Sequence, residues 1–77
     1  MKISVKFFAS LREQLGQSEA LIEDDSPLSV KQIWQRATST DDLPDNTLCA
    51  INMEYVDSNA MVESDAEVAF FPPVTGG

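Results

Sequence analysis

Ser29-Val30-Lys31-Gln32-Ile33-Trp34-Gln35-Arg36-Ala37-Thr38 is the stretch on which the fold turns. Val30, Ile33, Trp34 and Ala37 recur at i, i+3, i+4 and i+7, which gathers them into one apolar stripe along a helix. Lys31, Gln32, Gln35 and Arg36 take the wet side. Ser29 and Gln32 have capping-box spacing, in which each side chain satisfies an N–H left open at the helix start. Thr38 to Asp42 ends the helix, and a polar loop runs on to about Thr47. A helix with a single apolar stripe must bury it against another layer, and the flanking sequence supplies strands.

Upstream, Lys2-Ile3-Ser4-Val5-Lys6-Phe7-Phe8-Ala9 alternates as a half-buried strand, with Ile3, Val5 and Phe7 on one face and Lys2, Ser4, Lys6 and Phe8 on the other. Ser10 and Glu13 again have capping-box spacing, Leu11 and Leu15 lie one turn apart, and Gly16 suits a helix C-cap, so a short helix is expected over 10–15. Residues 18–23 read as a second strand, closed by the turn cluster Asp24-Asp25-Ser26-Pro27. Downstream, Leu48-Cys49-Ala50-Ile51-Asn52 is a short apolar strand, Met53-Glu54 a turn, and Tyr55-Val56 a brief strand. Asp57 to Asp65 reads as irregular and polar, broken by Met61 and Val62. Glu67-Val68-Ala69-Phe70-Phe71 is the last strand, stopped by Pro72-Pro73, since proline lacks the ladder N–H. The first and last strands are the most apolar and are expected side by side in the sheet centre, with the 29–38 helix across one face. The fold class is therefore α+β, a sheet with one main covering helix.

Composition narrows the chemistry. A 77-residue chain with a 43% apolar share is expected to form one small domain. It has no histidine, which removes the commonest general base and the ordinary nucleophile pairs and zinc sites. Its single cysteine, Cys49, has no partner for an internal disulfide and reads as a packing residue of the strand it sits in. The net charge is −8, from 13 acidic and 5 basic residues, so neither nucleic acid nor an anionic membrane is an expected partner, whereas a basic protein surface is compatible. No apolar run reaches the roughly 20 residues of a membrane span, and Met1-Lys2-Ile3-Ser4 lacks a signal-peptide pattern. The expected location is the cytoplasm.

The ending Phe70-Phe71-Pro72-Pro73-Val74-Thr75-Gly76-Gly77 is read as chemistry. Pro72-Pro73 favour a stiff, extended exit from the sheet. Gly76 and Gly77 have no side chains and fit a channel that excludes any Cβ. Val74, Thr75, Gly76 and Gly77 reach about 13–14 Å when extended, enough to carry a terminal carboxylate into another protein's active site. A carboxylate is inert until coupled to AMP; a sulfur donor can then convert it to a thiocarboxylate, and the carrier needs no catalytic side chain. The division expected is a domain over 1–73 and a flexible tail over 74–77.

Asp65-Ala66-Glu67-Val68-Ala69-Phe70-Phe71-Pro72-Pro73-Val74-Thr75-Gly76-Gly77 resembles the closing motif of the small, sulfur-carrying subunits of molybdopterin synthase, the MoaD/ThiS-like family. Val5-Lys6-Phe7-Phe8-Ala9 with Leu11-Arg12-Glu13 is similar to that family's first strand and helix. Length and element order match across the chain. The resemblance implies a β-grasp (ubiquitin-like) fold with a mixed sheet. It implies that an ATP-dependent activating enzyme adenylates Gly77, that a sulfurtransferase system converts it to a thiocarboxylate, and that the tail then enters the large subunit. There it gives sulfur to cyclic pyranopterin monophosphate, in an assembly of two small and two large subunits. The chain would bind no cofactor or metal itself; ATP is used by the activating enzyme. One position departs from the family: Ser64-Asp65 stands where Gly-Asp is usual, and the Met53-Glu54 turn also lacks a glycine. A difference in turn geometry is expected there, because serine tolerates positive φ less well.

Phe8 and Phe71 fall on the face opposite the core, and Tyr55 can join them, which gives an aromatic patch beside the tail. Patches of this kind mark protein interfaces. Arg12 and Lys6 fit either pairing with a partner's acids or plain surface charge. Trp34 belongs to the core. Three other readings stay open: a thiamine-pathway sulfur carrier, a ubiquitin-like modifier joined through Gly77, and an interaction module whose tail is idle.

Overall fold

The structure is a computed structural model and describes residues 2–24, 27–40, 43 and 46–72. Its elements are β1 (Lys2–Phe7), α1 (Ser10–Leu15), β2 (Glu19–Glu23), β3 (Leu28–Ser29), α2 (Val30–Thr38), β4 (Leu48–Ile51), β5 (Glu54–Val56), β6 (Met61–Val62) and β7 (Glu67–Phe71). Five strands form one sheet in the order β2-β1-β7-β4-β5. β1 and β7 run parallel, with Val5 opposite Val68 and Phe7 opposite Phe70, and the other neighbours are antiparallel. The two most apolar strands therefore sit side by side, as their composition predicts.

One face of this sheet is the core. Ile3, Val5, Phe7, Val68 and Phe70 are buried against Val30, Ile33 and Trp34 of α2. Phe7 and Phe70 stack at 5.8 Å between ring centroids, and Trp34 meets both edge-on at 5.9 and 5.0 Å. Such pairs are worth about 0.5–1.5 kcal/mol beyond their buried area. The Trp34 indole N–H has no hydrogen-bond partner among the described residues. Leaving it so costs about 1–3 kcal/mol, which the packing of three rings has to outweigh.

α2 begins with the expected capping box: Gln32 N–H donates to Ser29 Oγ, and Ser29 N–H donates to Gln32 Oε1. Two further N–H groups of its first turn, those of Val30 and Lys31, donate to the carbonyls of Ala60 and Ser58. The 57–65 segment, expected to be irregular, thus has a defined task, and its Met61–Val62 pairs with Leu28–Ser29 as a separate two-stranded sheet. Strands of two residues are too short to show a period, so the sequence carries no signal for them.

The expected capping box of the first helix is not formed. α1 spans 10–15 as read, but its N-cap is Ala9, at φ 54° and ψ −130°, with no side-chain cap bond. Phe8 N–H is still bonded to Phe70 of the sheet while Leu11 N–H already donates to Phe8 O. The corner is too tight for Ser10 to take the extended conformation of an N-cap. Gly16 closes the helix in the left-handed region and donates to Arg12 O, as expected.

The two turns that lack the family glycine behave differently. Before β7 the positive φ (66°) belongs to Asp65 and not to Ser64, and aspartate tolerates that region. The Ser64 departure is therefore accommodated. The hairpin turn is centred one residue earlier than read, on Asn52 and Met53 at φ 50° and 72°, and Glu54 is already in β5. Positive φ at both central residues is the geometry of a two-residue hairpin turn that favours Asn-Gly. Met53 holds it without a glycine while 94% exposed. Met53→Gly should therefore raise stability by on the order of 1 kcal/mol, seen as a rise of several degrees in the thermal midpoint. Ser29→Ala should lower stability by about 1 kcal/mol in the same assay, through loss of the α2 cap.

Candidate functional site

β7 brings two chemistries together. Its Val68 and Phe70 anchor the core, while Glu67, Ala69 and Phe71 point to the open face, and the chain then leaves the sheet at Pro72. The open face is continuous across the sheet. Phe8 stacks on Phe71 at 4.7 Å and an interplanar angle of 8°, and Tyr55 tilts against Phe71 at 6.1 Å. The three aromatic residues expected to form a patch therefore do so. Phe8 is 39% and Tyr55 72% exposed. Phe8 follows β1 directly, Tyr55 lies on β5 opposite Ala50 of β4, and Ala50 lies opposite Ala69 of β7. The sheet thus assembles the patch from three separate segments of the chain, with Phe8 more than forty residues from the other two rings.

Between the rings the face sinks. Ala50 and Ala69, in register on adjacent strands, floor a depression of about 290 Å³ that Phe8, Phe71, Tyr55 and Met53 wall and Glu67 borders. No local pattern in the sequence marks Ala50, Ala69 or Met53 as parts of a site. Ala69 shares the parity of Phe71, but its pairing with Ala50 is a long-range register that no local pattern shows.

Further along the same face the charges alternate. Lys6 pairs with Glu67 at 3.7 Å and Lys2 with Glu23 at 3.9 Å, both exposed and worth little. Lys6 is thus engaged within the sheet. Arg12 is exposed on α1 and is not among the residues that line the depression. Among the described strand residues two lysines meet Glu19, Glu23 and Glu67 on this face, a balance of −1 within the chain's −8. Val74, Thr75, Gly76 and Gly77, the expected tail, lie outside the described residues, as do Pro73 and thus the end of the expected 1–73 domain.

Cys49 is buried on the core side of β4. Burial and the nearby Asp57 carboxylate push its thiol up from 9.0 to about 11. It is thus held as a thiol at neutral pH, as a packing residue should be. Among the described residues no group of His, Cys, Asp and Glu could hold a metal, and no helix is long and apolar enough to cross a membrane.

A five-stranded mixed sheet crossed by one helix, with its first and last strands parallel, defines a ubiquitin-like β-grasp protein. Solved structures of this class superpose on it: SAMP1 from Haloferax volcanii, with a TM-score of 0.80 at 24% identity over 100% of both chains, and a putative molybdopterin converting factor subunit 1 from Pyrococcus furiosus, with 0.73 at 23% identity over 96% of this chain and 99% of that one. At these identities they show the fold. The ThiS family model matches residues 5–77, and the chain belongs to that family. The molybdopterin synthase sulfur carrier subunit of Escherichia coli (strain K12) is 37% identical over 97% of this chain and 99% of its own length. The protein of the same name from Dictyostelium discoideum is 30% identical over 99% and 96%.

The raised Cys49 thiol sets a pH dependence. Its folded value lies above its unfolded one, so its stabilising contribution is complete below about 9 and is lost as pH rises towards about 11. The unfolding midpoint should fall across that window, and Cys49→Ala should flatten the fall. Alkylation of the native chain by iodoacetamide at pH 8 should be far slower than that of the chain in denaturant.

Proposed function

We propose that this chain is the sulfur carrier of a molybdopterin synthase, working through the carboxylate of Gly77. The observation that carries this reading is the near-full-length similarity to sulfur carrier subunits, within a family match that extends through Gly76 and Gly77. The architecture supports it. β7 is held on both sides in the sheet, carries Phe71 of the aromatic patch, and precedes the tail directly in sequence.

In this reading an ATP-dependent activating enzyme joins the Gly77 carboxylate to AMP and releases pyrophosphate. The outer sulfur of a sulfurtransferase persulfide displaces AMP to form an acyl disulfide, which a thiol reductant cleaves, leaving a thiocarboxylate on Gly77 and a disulfide on the thiol side. The tail then enters the large subunit of molybdopterin synthase and gives its sulfur to cyclic pyranopterin monophosphate. A solved complex of subunits 1 and 2 of molybdopterin-converting factor from Helicobacter pylori 26695 includes a chain of the same fold, at TM-score 0.64 and 21% identity. In this reading Phe8, Phe71 and Tyr55 dock the partner, and Arg12 pairs with an acidic group of it. The carrier itself binds no cofactor, the ATP belongs to the activating enzyme, and the work is done in the cytoplasm. The names of the 30–37% identical relatives favour this pathway over the thiamine one.

Incubation with its activating enzyme, ATP and a sulfide source should raise the intact mass by the exchange of one oxygen for sulfur, located at Gly77. An unchanged mass with an activating enzyme that charges its own carrier in parallel would refute the reading. One residue added after Gly77 should abolish the gain.

A further inference from the structure

We infer that the depression over Ala50 and Ala69 is a socket for one large apolar side chain of the enzyme that receives the tail, here the molybdopterin synthase large subunit. This rests on the sulfur-carrier reading and deepens it. An aromatic patch can be a flat surface against which a partner merely lies. This one is not flat. The two positions at its centre are alanines on paired strands, 3% and 9% exposed, while the four side chains around them are large. The contrast in size makes the hollow, and the rigid centre of the sheet holds its floor.

Its volume, about 290 Å³, sits at the bottom of the range of about 300–1,000 Å³ for small-molecule sites. It offers one charged group, Glu67, and that group already pairs with Lys6 at 3.7 Å. Such a hollow lacks the converging polar groups that would orient a cofactor, and it suits a buried apolar anchor of the sort that dominates interfaces. The hollow itself is bordered by a single charged side chain, so an apolar anchor entering it displaces water mainly from apolar walls. A second copy of this chain is a poor occupant, because each copy carries −8. The socket opens on β7, the strand that leads into the tail, so an anchor seated there fixes where the tail starts.

The test is the affinity of the full chain for the large subunit, by calorimetry. Ala69→Leu fills the socket while making the face more apolar. A socket predicts at least about tenfold weaker binding, as for overpacking of a core; a flat patch predicts equal or tighter binding. Ala69→Ser, which leaves the hollow open, should stay within about threefold. Met53→Gly removes one wall at a position where the fold gains, so it should raise the thermal midpoint and weaken binding at once. This variant decides the matter if Ala69→Leu lowers the thermal midpoint. Equal or tighter binding by a folded Ala69→Leu chain, or unchanged binding by Met53→Gly, would overturn the socket. Failure of the unaltered chain to gain sulfur would instead overturn the carrier reading, so the two failures are distinguishable.

Discussion

β1 and β7 pair in parallel, and across that pairing Phe7 and Phe70 stack while Trp34 of α2 closes on both rings. The rest of the molecule is arranged around this contact. A parallel pair cannot be joined by a tight turn, so all the intervening chain must pass over or beside the sheet, and α2 is the piece that crosses the buried face. The same pairing sets the open face, because alternation along a strand makes each buried residue dictate the position of its neighbours. With Phe7 and Phe70 inward, Phe8 and Phe71 must turn outward together, and they stack at 4.7 Å. Core and open face are two sides of one register.

This coupling explains why a carrier can be so small. The reactive group in the proposed reading is a main-chain carboxylate, activated elsewhere, so the fold need not position a base, a nucleophile or a metal. What it must do is hold the root of the tail still and present a recognisable surface beside it. β7, flanked by β1 and β4, does the first. In the proposed reading the ring patch and the alanine-floored hollow do the second. Among the described residues the open face sets Lys2 and Lys6 against Glu19, Glu23 and Glu67, so their charges nearly cancel there.

The corrections to the sequence reading share one cause. Ser10 and Glu13 have the spacing of a capping box, yet the N-cap is Ala9, because the strand-to-helix corner is set by the Phe8 bond to Phe70 of a strand sixty residues away. Met61–Val62 pairs with Leu28–Ser29, and Ser58 and Ala60 accept from the first turn of α2. These are long-range bonds made by segments without a period of their own. The Ser64 departure from the family pattern, which pointed to a different turn geometry, is accommodated because the positive φ falls on Asp65.

By itself the sequence determined the elements with strong periods: the 29–38 helix with its capping box, the alternation of the first strand, the apolar last strand with its proline stop, and the Gly76-Gly77 ending. These are local, since periodicity, capping and chain stiffness depend on neighbours within a turn or two. It also determined the parity that puts Phe8 and Phe71 away from the core. Tertiary structure decided what meets across strands. It set Ala50 opposite Ala69, brought Tyr55 onto Phe71, and left Arg12 outside the depression. The register between β4 and β7 comes from the fit of Cys49 and Ile51 with Phe70 and Val68, a contest among side chains far apart in the chain that no local pattern records.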